Sequence, residues 1–171
     1  MISQAMQDKL LEQVRVEWES EFAYLTMMAW CYNNDFDGFG AWFHQQANEE
    51  REHGLRILRF INNAGGSIGI PSINVIAPDF RNLQHLFELT LQHEEQVTGS
   101  INRLVDQAMA DNDHTTHTFL QWFIQEQVEE ESTARHILAK IRRAEGAPGA
   151  LFMIEQQLAG ASPRPAAEAD A

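Results

Sequence analysis

Along most of this chain apolar residues recur at alternating steps of four and three, the period that lines up one face of an α-helix. One such stripe runs through Phe39, Phe43, Gln46, Glu50, His53, Ile57, Phe60 and Ala64. A second follows Leu83, Phe87, Thr90, Glu94, Val97, Ile101, Leu104 and Ala108, and a third Thr116, Leu120, Phe123, Gln127, Glu130, Ala134, Ile137 and Ile141. Upstream, Leu10, Val14, Glu17, Tyr24, Met28 and Cys31 share a broader face. With the breakers between them, the stripes predict helices over about Gln4 to Asn34, Gly38 to Ala64, Asn82 to Asp111 and His114 to Glu145. Pro148 suits the first position of a short fifth helix ending near Gly160. Asp35 or Asp37 is placed to cap the second helix, and Gly65-Gly66 to end it. Ala161 to Ala171, rich in Pro and Ala, reads as a disordered tail, which leaves one domain over residues 1–160.

The connections carry the topology. Short links after the first and third helices force each to lie antiparallel to its successor. Between Gly65 and Arg81, about seventeen residues with Pro71 and Pro78 have no helical period. A structureless segment of that length is uncommon in a compact domain unless it has a task. It is long enough to run the length of a helix and return the chain to its starting end. The expected fold is all-α, a four-helix bundle with one long crossover connection and a short C-terminal helix.

The interruptions of the stripes are the informative positions. Glu17, Glu50 with His53, Glu94, and Gln127 with Glu130 fall on apolar faces of four different helices, near the helix midpoints. Packed together they meet at one level. Several carboxylates brought together away from water, with no Lys or Arg on the stripes, cost many kcal/mol in desolvation and mutual repulsion. Cations must compensate them, or they must hold protons. Carboxylate oxygen with one imidazole suits iron, manganese or zinc, and a dinuclear iron or manganese centre is the usual outcome inside such bundles. Glu50-x-x-His53 alone is weak, because an offset of three occurs on many solvated helices. Coincidence across four helices is what gives it weight. His93 steps off the stripe and reads as a surface group or one standing behind the ligands; His44, His85, His114, His117 and His136 show no ligand spacing to one another.

Composition narrows the partners. The 171 residues include 25 acidic against 12 basic side chains, a formal net charge of -13. That argues against nucleic acid or anionic lipid and toward cations. A single cysteine, Cys31, excludes an intrachain disulfide, and the first ten residues lack the basic start and apolar run of a signal peptide, so a cytoplasmic setting is expected. No apolar run is long enough to span a membrane.

These features resemble the bacterial non-haem ferritins over about Met1 to Leu158. The most specific stretches are Ala47-Asn48-Glu49-Glu50-Arg51-Glu52-His53 and Phe119-Leu120-Gln121-Trp122-Phe123 leading into Glu126-Gln127-Val128-Glu129-Glu130. The resemblance implies a ferritin-like bundle that oxidises Fe(II) with dioxygen or hydrogen peroxide and stores the ferric product in a homo-oligomeric cage of roughly two dozen subunits. It further implies a first iron site from Glu17, Glu50 and His53 near Gln127, and a second from Glu94 and Glu130 that shares Glu50. A third, more open site would draw on Glu49, Glu126, Glu129 and Glu130. Tyr24 would sit beside the first site and supply an electron. No haem is expected: Arg51 stands where the haem-binding branch carries a methionine, and guanidinium is not a usable haem ligand.

Other readings remain. Tyr24 and Trp122 are simple core aromatics in most bundles, and Glu49, Glu126 and Glu129 also fit a solvated face. A rubrerythrin-like diiron peroxidase or oxidase without mineral storage is the main alternative. Such relatives commonly repeat Glu-x-x-His on the fourth helix, where this chain has Gln127 and Glu130. One departure concerns iron entry. Animal heavy-chain ferritins line a three-fold channel with acids where this chain has His117 and Leu120.

Overall fold

The structure is a computed structural model and describes residues 2–75 and 78–159. Five helices follow in order: α1 (Gln4–Asn33), α2 (Asp37–Asn63), α3 (Leu83–Ala110), α4 (His114–Arg143) and α5 (Pro148–Ala159). The expected tail beyond Gly160 lies outside the described residues.

The helix starts follow local chemistry with one exception. Ser3, Asn82 and Asp113 each accept a hydrogen bond from the backbone N–H three residues on, which satisfies one of the donors that every helix start leaves open. The exception is α2. Neither Asp35 nor Asp37 caps it: Asp35 takes a left-handed backbone at φ 58°, Asp37 is already helical, and Phe36 at the cap position offers no side-chain bond. The cap comes instead from α5, whose Glu155 Oε1 accepts from Gly38 N at 3.1 Å. A carboxylate at that end also complements the helix dipole. Glycine at position 38 is required for the approach, since a Cβ there would press on the Glu155 backbone oxygen.

α1 and α2 form one antiparallel hairpin, and α3 and α4 the other. Antiparallel pairing of α1 with α3 follows from the contacts Gln13–Ser100, Tyr24–Glu94 and Met27–Thr90. α2 and α4 likewise run antiparallel, through Gln46–Glu130 and Phe60 stacked on Phe119. That arrangement needs a connection running the length of the bundle. The crossover supplies it along α1: Ser67 N donates to Gln7 Oε1, Asn74 N to Glu19 Oε1, and Phe80 lies edge-on to Trp30. Gln7 and Trp30 are roughly 35 Å apart at 1.5 Å per helical residue.

Every residue of the α3 and α4 stripes is buried. The α2 stripe slips near its end: Ile61 is fully buried, whereas Phe60 is half-buried and stacks on Phe119. A strict seven-residue repeat drifts about 20° per heptad against a straight helix of 3.6 residues per turn, and by the third heptad the neighbouring residue faces inward. On α1, Met27 rather than Met28 is buried.

The apolar side chains form two clusters. One, around Tyr24, Phe39, Phe43, Phe87 and Ile141, includes Ile154 of α5; the other gathers Met6, Leu10, Ile57, Ile61, Ile101 and Leu120. Glu17, Glu50, His53, Glu94, Gln127 and Glu130 form a polar layer between them. Replacing Glu155 with Ala removes the α2 cap, with an expected loss of about 1 kcal/mol. Hydrogen exchange is expected to quicken in α5 and the first turn of α2 while the bundle centre stays protected. Uniform quickening, or none, would contradict the capping role.

Candidate metal centre

The polar layer is assembled from four helices whose stripes converge. Glu17, Tyr24, Glu50, His53, Glu94, Gln127 and Glu130 are all between 1% and 6% exposed, as buried as the apolar core around them. Three of them bring ligand atoms together: Glu17, Glu50 and His53 each offer an oxygen or nitrogen within 4.8 Å of the other two. His53 Nδ1 lies 3.4 Å from Glu50 Oε2 and 4.0 Å from Glu17 Oε2. Its ring is held edge-on by Trp122 and Phe123.

The remaining ligand candidates surround this group through hydrogen bonds. Glu94 is bonded at both oxygens: Tyr24 Oη donates to Oε1, and Gln127 Nε2 donates to Oε2 at 3.2 Å. Glu130 Oε2 accepts from Gln46 Nε2 at 3.0 Å, and the same amide reaches Glu49 Oε2 at 3.0 Å. Glu126 is half-buried on α4, and Glu129 is exposed. Among the described residues, Glu94, Glu130, Glu49, Glu126 and Glu129 do not join the compact three-residue group.

Two side chains that periodicity did not single out as functional orient the acids. Gln13 Nε2 donates to Glu17 Oε1 at 2.9 Å, and Gln13 is itself fixed by Ser100 Oγ, which donates to Gln13 Oε1 at 2.5 Å. Gln46 does the corresponding work for Glu130. The signal was present for Gln46, a polar residue on an apolar stripe four positions before Glu50. Gln13 lies off the stripe expected for α1 and carries no local mark. His93 stands behind Tyr24: it hydrogen-bonds Ser20 Oγ at 2.7 Å and meets the Tyr24 ring edge-on.

Some of the buried carboxylate oxygens lack a donor from any other side chain or backbone group. Glu17 Oε2 and Glu50 Oε2 are buried and, apart from a hydrogen bond the two carboxyls share, have no donor. Leaving a charged acceptor buried without a partner is among the costliest local arrangements in a protein, and the carboxyls respond by holding their protons. Desolvation pushes Glu17 up, reinforced by the charge of Glu50. It pushes Glu50 up as well, against the opposing effect of a carboxyl–carboxylate hydrogen bond shared with Glu17, while Glu130, Glu49 and Glu126 add repulsion. Glu94 is raised by burial to about 7, against the opposing hydrogen bond from Gln127. Carboxylate oxygens of Glu17 and Glu50 and an imidazole nitrogen of His53, all within 4.8 Å of one another, form a donor set suited to a divalent first-row metal ion.

Comparison with known proteins shows the family. The model of the ferritin-like domain family matches residues 7–144. The chain belongs to the ferritin family. It is 33% identical to the bacterial non-haem ferritin of Campylobacter jejuni over 158 residues, covering 92% of this chain and 95% of that one. It is 34% identical to the Escherichia coli O157:H7 protein of the same name over 161 residues, covering 92% and 96%. Among solved structures, an open-pore ferritin from the hyperthermophilic archaeon Archaeoglobus fulgidus superposes with a TM-score of 0.93 at 31% identity, over 95% of this chain and 100% of that one. Within this ferritin fold the polar layer sits on the bundle axis, and no helix among the described residues is long and apolar enough to cross a membrane.

The raised carboxyls make the metal-free protein pH-sensitive in a defined direction. The folded state binds more protons than the unfolded chain from the ordinary carboxyl value of 4.5 up through 7 and beyond, so their contribution to stability is full below that window and lost as pH rises through it. The thermal midpoint of metal-free protein is expected to fall between about pH 4.5 and about pH 8, and Glu50→Gln is expected to flatten that slope. A slope unchanged by the substitution would show that Glu50 is ionised throughout.

Proposed function

We propose that this ferritin stores iron and is a ferroxidase, binding Fe(II) as substrate at a paired site in the polar layer and oxidising it with dioxygen or hydrogen peroxide. The observation that carries the reading is the trio Glu17, Glu50 and His53, buried between two apolar clusters, with carboxylate oxygens of Glu17 and Glu50 to which no other residue donates. Such an arrangement is costly unless a cation completes it.

In this reading Glu17, Glu50 and His53 bind the first Fe(II). Glu94 and Glu130 bind a second, with Glu50 shared between the two. Gln127 and Tyr24 hold Glu94 in place through its two oxygens, and Gln46 and Gln13 aim Glu130 and Glu17. Protons held by the empty carboxyls leave as metal arrives, so binding releases acid. Each Fe(II) gives up one electron. A pair therefore supplies the two that take dioxygen with two protons to hydrogen peroxide, or peroxide with two protons to water, without a free one-electron radical. The anionic shell favours the Fe(III) product. Tyr24, whose hydroxyl already has Glu94 as an acceptor, is positioned to supply a further electron.

Glu49, Glu126, Glu129 and Glu130 form the third, more open site. Its support is electrostatic and geometric: Glu49 and Glu126 both act on the charge of Glu50, and Glu49 shares the Gln46 amide with Glu130. Haem has no part in this scheme. Arg51 at the position following Glu50 is committed to Glu21, donating from Nε at 2.9 Å. A cytoplasmic cage of roughly two dozen subunits, with ferric oxo-hydroxide inside it, completes the proposal. Apolar surface left open on α5, at Phe152 and Met153, supports assembly through that helix.

Three outcomes are expected. Glu50→Ala and His53→Ala each abolish fast Fe(II) oxidation in stopped-flow measurements while helical content is kept; wild-type rates in both would remove the first site. Glu126→Ala or Glu129→Ala leaves the first oxidation nearly unchanged but alters the Fe(II) consumed per dioxygen or the recovery between turnovers. Identical stoichiometry and recovery would make these acids a solvated face. Light scattering is expected to find the closed cage at micromolar concentration, and a monomer or dimer there would contradict the assembly.

A further inference from the structure

On the face of the bundle between α3 and α4 lies a pocket of about 310 Å³ that the ligand assignments do not use. Its inner wall includes Gln127 and Thr98, and its apolar sides include Ile124 and Val128. Gln127 belongs to both compartments. Facing the pocket, its Nε2 lies 3.4 Å from Thr98 Oγ1; facing the metal centre, the same nitrogen donates to Glu94 Oε2 at 3.2 Å. One amide therefore separates the pocket from a candidate iron ligand. Thr98 is in turn held by Glu131, whose Oε1 accepts from Thr98 Oγ1 at 2.6 Å.

The charges of the pocket decide what it admits. Its acid, Glu131, is paired with Arg135 at 3.1 Å, and both residues line it. Acidic side chains that would concentrate Fe(II) gather instead around Glu50, where the charges of Glu130, Glu49 and Glu126 act on its carboxyl on the α2 and α4 side. A small pocket with apolar walls, one closed ion pair and a hydrogen-bonding amide at its end suits a small uncharged molecule.

We propose that this pocket is the port through which the small uncharged oxidant, dioxygen or hydrogen peroxide, reaches the metal centre, separately from the Fe(II) route. The inference rests on the ferroxidase reading. Gln127 forms the inner gate, and the Thr98–Glu131 pair positions its amide. Exposed Val128 and half-buried Ile124 flank the passage outside that gate.

The test fills the port without touching a ligand. Ile124→Phe and Val128→Trp are prepared separately as assembled protein, loaded anaerobically with Fe(II), and mixed with dioxygen or with hydrogen peroxide at several concentrations. The second-order rate constant for oxidant is expected to fall several-fold in each variant, while anaerobic Fe(II) affinity and stoichiometry stay at wild-type values. Slowing with only one oxidant assigns the port to that molecule. Unchanged rates with both oxidants in both variants would overturn the port, as would slowing that tracks a loss of Fe(II) affinity. Failure of the underlying reading looks different: wild-type protein would then oxidise Fe(II) no faster than Glu50→Ala.

Discussion

The structure turns on the cost of placing several carboxyl groups at the middle of a helix bundle, out of reach of water. Two apolar clusters hold the ends together, and between them Glu17, Glu50, Glu94 and Glu130 come from four helices to a common level. Ionised and uncompensated, they would repel one another in a medium that screens poorly. The empty protein meets this cost with protons, which is why burial raises Glu17, Glu50 and Glu94 together. A metal ion meets it with charge. In the proposed reading, the stability of the bundle and its capacity for iron are two aspects of one constraint.

Around that layer the protein spends its polar side chains on direction. Gln13 takes one oxygen of Glu17 and leaves the other open; Gln46 takes one oxygen of Glu130; Tyr24 and Gln127 together hold Glu94. Amides suit this task because they donate without bringing a positive charge that would compete with the metal. Arg51, which follows Glu50 in the chain, is turned to Glu21 on α1 and ties those two helices together. Gly54 lets the helices approach beside His53, since a Cβ there would collide with the Trp18 indole.

Much of this was legible in the residue pattern, and the parts that were not share a physical cause. Glu94, Gln127 and Glu130 announced themselves because a polar residue on an apolar stripe is conspicuous at a period of 3.6. The crossover announced itself by seventeen residues without a period. Gln13 gave no such sign, and its role depends on Ser100, far away in the chain. The cap of α2 comes from Glu155, so inspection of Asp35 and Asp37 could not find it. Slippage of the stripe from Phe60 to Ile61 reflects accumulated helical twist, which a repeating pattern of steps does not carry. Local spacing reveals which face a residue occupies, while orientation of ligands is settled by partners that only the folded chain brings near.

The central claim, that these carboxyls are held for cations, is tested most directly by anaerobic calorimetric titration of metal-free protein with Fe(II) in buffers of different ionisation enthalpy. The account predicts tight binding of a pair of ions per chain, with protons released to the buffer as each carboxyl exchanges its proton for metal. Binding without proton release would contradict it, and so would the absence of any tight site.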